Sequence, residues 1–255
     1  MSQQDKADVF NALHHAGKPL ILFNVWDAGS AKAVAEGGAS SIATGSWSVA
    51  AAHGYPDGEA LPLDLALANL ARIVAAVDLP VSVDLERGYG DDPAAVGRTV
   101  AQAITAGAIG CNLEDSKDEH NLYHIQEQSE RLLAAREAAE AAGLRFFINA
   151  RVDLFLRSPA AAHDRSLLEQ ALELAVAYAE AGASGIFVPG LADCALIGAF
   201  CEACPKPVNI MAVPGAPPPE QLSALGVARI SYAGGPYRRA MEFLEDAARA
   251  IYSEH

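Results

Sequence analysis

Eight short apolar runs organise the chain, each ending in polar or glycine residues and each followed by an alanine-rich stretch with helical spacing. They are LILFNVW (20–26), SSIATG (40–45), VSVDLE (81–86), GCNLED (110–115), FFINAR (146–151), GIFVPG (185–190), VNIMAV (208–213) and RISYAG (229–234). Most are too short and too continuously apolar for amphipathic helices or half-exposed strands, which is the pattern of parallel strands covered on both faces. The spacing between them predicts helices over 28–37, 62–77, 92–107, 124–142, 164–182, 191–204, 217–225 and 236–254, with a leading helix near 4–16. Asp64 or Pro62 opens one of these and Pro93 after Asp92 another, while Gly107, Gly143 and Gly182 each supply a left-handed stop. Eight strand–helix alternations without a break in composition predict a single α/β domain over 1–255, a (β/α)8 TIM barrel, with a doubly wound sheet as the alternative. The proline-rich stretch 214–219 falls between the seventh strand and its helix and reads as a stiff loop.

Composition narrows the possible partners. A chain of 255 residues that is 51% hydrophobic can bury a full core. Its 32 Asp and Glu against 18 Lys and Arg leave a net charge of −14, which repels nucleic acid and anionic membranes. No apolar run approaches the ~18 residues of a membrane span, and the start lacks the basic and apolar regions of a secretory signal, so a cytoplasmic protein is expected. The four cysteines are expected to be thiols. Of these, Cys111 is placed in the core, and the Cys201–Cys204 spacing lacks the further ligands zinc needs. His14 and His15 are expected at the surface or in a capping role.

In a barrel the chemistry sits at the carboxyl ends of the strands. Strand 3 ends in Asp84-Leu85-Glu86 and strand 4 in Glu114-Asp115; alternation places Asp84 and Glu86 on one side, so three or four carboxylates converge on one mouth. Gathered like charges favour a hard divalent cation, Mg2+ or Mn2+, although any one of these acids could instead cap a helix or pair with Arg87, Arg98 or Arg151. Arg151, at the end of strand 5, has the planar fork that clamps a carboxylate or phosphate, or else pairs with Asp153 or Glu114. Thr44-Gly45-Ser46 after strand 2 lets backbone N–H groups approach an anion.

The stretches FNVWDAGSAKAVAEGGASSIATGSWSVAAAHGYPDGE (23–59), VDLERGYGDDP (83–93), GCNLEDS (110–116), INARVDLF (148–155), GIFVPG (185–190) and NIMAVPG (209–215) resemble the isocitrate lyase / phosphoenolpyruvate mutase superfamily, in its carboxyvinyl-carboxyphosphonate phosphorylmutase-like branch. The resemblance implies Mg2+ held directly by Asp84 and through waters by Asp57, Glu86 and Glu114. It implies a ligand carboxylate cradled by Thr44, Gly45 and Ser46, clamped by Arg151 and close to Asn209. The implied activity is that of a C–C lyase, decarboxylase or hydrolase on a small 2-oxo or 2-hydroxy (di)carboxylate through a metal-bound enolate. A last helix exchanged between subunits of a homodimer or homotetramer is implied as well.

Two departures bear on the chemistry. Glu86 stands where most relatives carry a second Asp. The loop after strand 4, residues 116–123, has neither the lysine–cysteine run of the lyases nor the lysine–asparagine of the mutases, and the glutamate that some lyases carry after strand 6 is replaced by Gly190. His120 or Tyr123 is therefore the candidate proton carrier if this loop closes as a lid. The missing loop residues also raise a second reading, a catalytically weak relative that binds 2-oxoacids. Gly215 and Gly234-Gly235 raise a third, a phosphosugar-binding barrel.

Overall fold

The computed structural model describes residues 1–118 and 120–253. Eight strands run β1 (Leu20–Leu22), β2 (Ile42–Ala43), β3 (Val81–Asp84), β4 (Gly110–Glu114), β5 (Phe147–Arg151), β6 (Gly185–Val188), β7 (Val208–Met211) and β8 (Arg229–Ser231). All pairings between strands are parallel, in the order β1-β8-β7-β6-β5-β4-β3-β2. An isolated parallel bridge between Val25 and Thr44 joins the two ends of the sheet, so the strands form the nearly closed (β/α)8 barrel that the alternation predicts. Every predicted strand lies where an apolar run stands, because residues such as Ile42, Val81, Cys111, Ile148, Ile186 and Ile210 are buried on both faces of the sheet.

The outer helices are α1 (Gln3–Ala12), α2 (Ala28–Glu36), α3 (Ser46–Ala52), α4 (Leu63–Ala76), α5 (Pro93–Thr105), α6 (Ile125–Ala141), α7 (Leu154–Arg157), α8 (Arg165–Glu180), α9 (Cys194–Ala203), α10 (Pro219–Ala224) and α11 (Gly235–Ser253). Asp27, Asp92, Asp164 and Asp193 cap four of them by accepting from backbone N–H groups of the first turn, so these four acids belong to the scaffold. Gly107, Gly143 and Gly182 take the predicted left-handed conformation, with φ of 98°, 64° and 103°. The short helices α3 and α7 fall in loops after strands and were not expected. Residue 254 of the predicted last helix lies outside the described residues.

The floor of the barrel decides between two expectations for His14. The residue is buried rather than on the surface and takes the capping role at the end of α1: its ring stacks on Phe147 with centroids 3.9 Å apart, and Phe10 meets Phe147 edge-on at 5.5 Å. Nδ1 of His14 pairs with the Phe10 carbonyl at 2.8 Å. Burial, and then the nearby Arg229 charge, pushes its pKa down to about 3, so the ring is neutral and serves as an aromatic plug. Cys111 is in the core as expected, and all four cysteines are free. Among the described residues no helix is long and apolar enough to cross a membrane.

Candidate active site

At the carboxyl ends of the strands a cavity of about 110 Å3 opens. Its two sides differ. Gly45, Ser46, Asp57 and Asp84, from the β2–β3 side, form one wall; Arg151, Leu156, Phe187, Pro189 and Met211, from β5 to β7, form the other. Asn112 and Ser231 reach the cavity from β4 and β8.

On the first wall Asp84 ends β3 facing inward. Its Oδ2 accepts from the backbone N–H of Ser46 at 3.1 Å and from the Ser46 hydroxyl at 2.8 Å, whereas its Oδ1 is buried without any hydrogen-bond donor. Thr44 is not among the residues lining this cavity: it is buried, and its hydroxyl accepts from the Asp84 backbone N–H at 2.9 Å, which fixes the end of β3. Asp57 lines the cavity, and lost hydration, then the Asp84 charge, raises its carboxyl above the ordinary range.

Of the acids named for the mouth, Asp84 and Asp57 line this cavity, while Glu86 lines a smaller adjoining pocket with Asp84. Strand β3 ends at Asp84, so alternation does not extend to Glu86, which sits in a left-handed turn with φ of 51°. Its carboxylate turns away to accept from the Glu59 N–H at 2.6 Å. Burial, with Asp84 adding to it, pushes its pKa up to about 7. Glu114 meets Arg151 at 2.6 Å. Asp115, fully buried, accepts from the Asp153 N–H at 2.8 Å and the Tyr178 hydroxyl at 3.0 Å, a structural brace between β4, β5 and α8. Among the described residues no three His, Cys, Asp or Glu side chains stand close enough to hold an ion by themselves. The donor set fits Mg2+ in a different way: this ion takes one or two carboxylates and keeps several waters, and Asp84 with its orphaned oxygen beside Asp57 offers that pattern.

On the second wall Arg151 is fully engaged. Besides Glu114 it grips both oxygens of Asp153, with one contact at 2.9 Å. Burial opposes its charge, but Asp153 and Glu114 outweigh that and hold the guanidinium more firmly protonated than usual. The pairing alternative raised by the Arg151-x-Asp153 spacing is thus realised with both partners at once. Asp153 in turn accepts from the Ser116 hydroxyl at 2.5 Å.

Beneath the cavity lies a polar layer that sequence reasoning largely missed. Asn112 Oδ1 accepts from Asn149 at 2.9 Å and from Arg229 at 3.2 Å, and Asn209 donates to Ser231 at 3.1 Å. Asn209 therefore stands below the cavity and does not line it. Arg229 is buried, one of its terminal nitrogens has no acceptor, and desolvation drops its pKa to about 9. The available signal was the polar residue interrupting a buried strand, as in Gly-Cys-Asn-Leu-Glu (110–114).

With this geometry in place, comparison with known proteins is decisive. The family model for phosphoenolpyruvate phosphomutase matches residues 10–252. The chain belongs to that family. Its superfamily joins isocitrate lyase and phosphoenolpyruvate mutase relatives, and its members are lyases, mutases and hydrolases, so the chain is an enzyme of this type. A candidate phosphonomutase from Burkholderia cenocepacia superposes with a TM-score of 0.95 at 51% identity, covering 99% of this chain and 100% of that one. A phosphonopyruvate hydrolase solved with oxalate and Mg2+ gives a TM-score of 0.84 at 25% identity, over 98% of this chain and 87% of that one. The 2-methylisocitrate lyase of Escherichia coli is 29% identical over 82% of this chain and 70% of its own length.

Two residues expected to carry protons in this family member do not line the cavity. His120 is exposed at the tip of the loop after β4, its backbone N–H bonded to Asp118 at 2.8 Å. The Tyr123 ring is buried beneath the Arg131 guanidinium, 4.1 Å from centroid to carbon, with the Lys117 ammonium 5.2 Å away. Arg131 also donates to the carbonyls of Gly90 and Asp91, each at 2.8 Å, and to that of Arg87. Tyr123 thus serves to seat the arginine that laces the β3 and β4 loops together. The glycine after strand 6 has its own geometry. Gly190 has φ of 87°, and a Cβ there would fall 2.8 Å from the Leu156 nitrogen. Only glycine lets α7 lie against β6 and bring Leu156 to the cavity.

Proposed function

We propose that this enzyme binds Mg2+ or Mn2+ at Asp84 and Asp57 and acts on a small 2-oxo or 2-hydroxy carboxylate by breaking a bond beside its carbonyl, as a lyase, decarboxylase or hydrolase. The observation that carries this reading is the buried Asp84 Oδ1, which has no donor, on a residue that lines a cavity together with a second carboxylate, Asp57. An uncompensated buried carboxylate oxygen is costly, and a cation offsets that cost. The bound ion would supply positive charge for the oxygens of the oxoacid and for the negative charge that develops when the bond breaks. Gly45 and Ser46, at the start of α3, would receive the ligand carboxylate. Arg151, oriented by Glu114 and Asp153, would form the opposite rim, and Asn112 the floor. Glu86 and Glu114 would act through water, as their engaged carboxylates require. His120 remains our candidate proton carrier, in a state in which the 116–123 loop closes over the mouth. The relative solved with oxalate and Mg2+ supports the ion and the ligand class. The test is release of a 2-oxoacid or of CO2 from a panel of 2-hydroxy and 2-oxo acids, with and without Mg2+; turnover unaffected by chelation would overturn it.

We also propose that the enzyme is cytoplasmic, in keeping with its four free thiols, and that it assembles from copies of itself through α11. Beyond Pro236 no residue of this helix is buried: Phe243, Leu244, Ile251 and Tyr252 are 75%, 60%, 60% and 80% exposed. A groove of about 900 Å3 lined by Leu20, Ile21, Phe23, Ala33 and Val34 lies open on the outside of β1 and α2, where a last barrel helix would pack. Exchange of α11 between copies fills that groove and covers the helix. Phe243→Glu is expected to yield monomers in sedimentation; an unchanged oligomer would refute the exchange.

A further inference from the structure

The floor of the mouth rests on a buried cation that the proposed chemistry does not use. Arg229 enters from β8, and its guanidinium touches no carboxylate among the described residues. Its Nη2 donates to Asn112 Oδ1 at 3.2 Å, its Nε reaches the Ser231 hydroxyl at 3.4 Å, and its Nη1 is buried with no acceptor. The other arginines of this end are engaged differently: Arg151 is held by Asp153 and Glu114, Arg157 donates to the Ser116 hydroxyl, and Arg238 lies over the ring of Trp47. Burial lowers the Arg229 pKa to about 9, which leaves it charged near neutrality, and the carboxylate that sustains its charge is Asp84.

This cation decides which end of the Asn112 amide the ligand meets. A guanidinium only donates, so the atom of Asn112 that faces Arg229 is its carbonyl oxygen, and Asn149 Nδ2 donates to the same oxygen at 2.9 Å. The other end, Asn112 Nδ2, has no acceptor among the described residues and is not sealed off from the cavity that the residue lines. Asn112 and Ser231, both part of the cavity lining, are thus set from below by one positive group.

We propose that Arg229 is a positioning residue for the anionic ligand: it turns the Asn112 Nδ2 amide toward the cavity as a donor to a ligand oxygen, and its own buried charge favours an anion above it. This rests on the metal and oxoacid site proposed above and adds the group that receives the ligand from the floor. The same charge repels a cation, so Arg229 strengthens oxoacid binding and weakens the binding of Mg2+ alone.

The experiment is calorimetric titration of Mg2+ alone, and of oxalate at saturating Mg2+, into the wild type, Arg229→Met and Asn112→Asp, with thermal melting of each. Asn112→Asp keeps an oxygen for Arg229 and Asn149, so the polar layer and the fold are retained, while the donor facing the ligand is lost; it decides the matter should Arg229→Met fail to fold. Both variants are expected to bind oxalate about tenfold or more weakly, with Mg2+ alone bound as tightly as in the wild type or more so. Oxalate affinity unchanged in Asn112→Asp, or Mg2+ affinity lost alongside it, would overturn the positioning role while leaving the oxoacid site standing. A wild type that binds no oxalate in Mg2+ would remove the oxoacid site and this inference with it.

Discussion

The two walls of the mouth are built on opposite principles. On the β2–β3 side, charged groups are left wanting: Asp84 keeps a buried oxygen without a donor, and Asp57 and Glu86 have raised pKa values because water is scarce and Asp84 is near. On the β5–β7 side Arg151 is held by two carboxylates and the remaining cavity lining is largely apolar. The first wall leaves a carboxylate oxygen of the lining without a donor, and the second pairs its charged lining residue. Affinity for a cation should therefore reside in the first, and shape selection in the second.

Removing the unsatisfied carboxylate should have the largest effect. Asp84→Ala is expected to lower Mg2+-dependent oxoacid affinity by about 100-fold or more in calorimetry. Thermal stability without metal should be unchanged or raised, because Asp57 and Glu86 lose a like charge nearby. Loss of binding together with unfolding would break the contrast between a binding wall and a packing wall.

On the other side, Gly190→Ala puts a Cβ into the Leu156 backbone at a φ of 87°. It should cost roughly 1–3 kcal/mol in urea unfolding, with Mg2+ affinity preserved.

Acidity offers a smaller and graded test. Glu86 titrates near 7, above its ordinary 4.5, so between those values the folded metal-free protein holds a proton that the unfolded chain has released. Its contribution to stability without metal thus falls as pH rises from 4.5 to 7. Cation affinity runs the other way, because the charged carboxylate favours the ion. Mg2+ affinity should therefore weaken by up to about tenfold as pH falls from 8 to 6, with proton release on binding at pH 6. A flat profile would mean that Glu86 does not sense the ion.

What could be read in the chain beforehand follows the same division. The barrel was legible because a strand covered on both faces must be a short apolar run, and the acids and Arg151 were legible because strand ends are where a barrel works. The apolar wall was not, since Leu156, Phe187 and Met211 are residue types found throughout any core, and only coordinates reveal which of them border a cavity. Alternation misled at Glu86 because the strand stops two residues earlier. Asp115 looked like a further ligand, yet the Tyr178 hydroxyl and the Asp153 backbone N–H make it a brace, and Tyr178 lies on another element. The burial of His14 was not foreseen because the short leading helix gives no sign that its end closes the barrel floor.

One joint of the barrel is thinner than the others. Between β1 and β2 the sheet closes through one bridge, Val25 to Thr44, with Val25 donating to Ala43 at 2.9 Å and Gly45 to Val25 at 3.2 Å. The residue after that clasp is Ser46, half of the proposed anion cradle. A guest gripped there draws on the same backbone that fastens the hoop, so filling the mouth and tightening the barrel become one event, and the amides of this seam should slow their exchange with solvent before any others do.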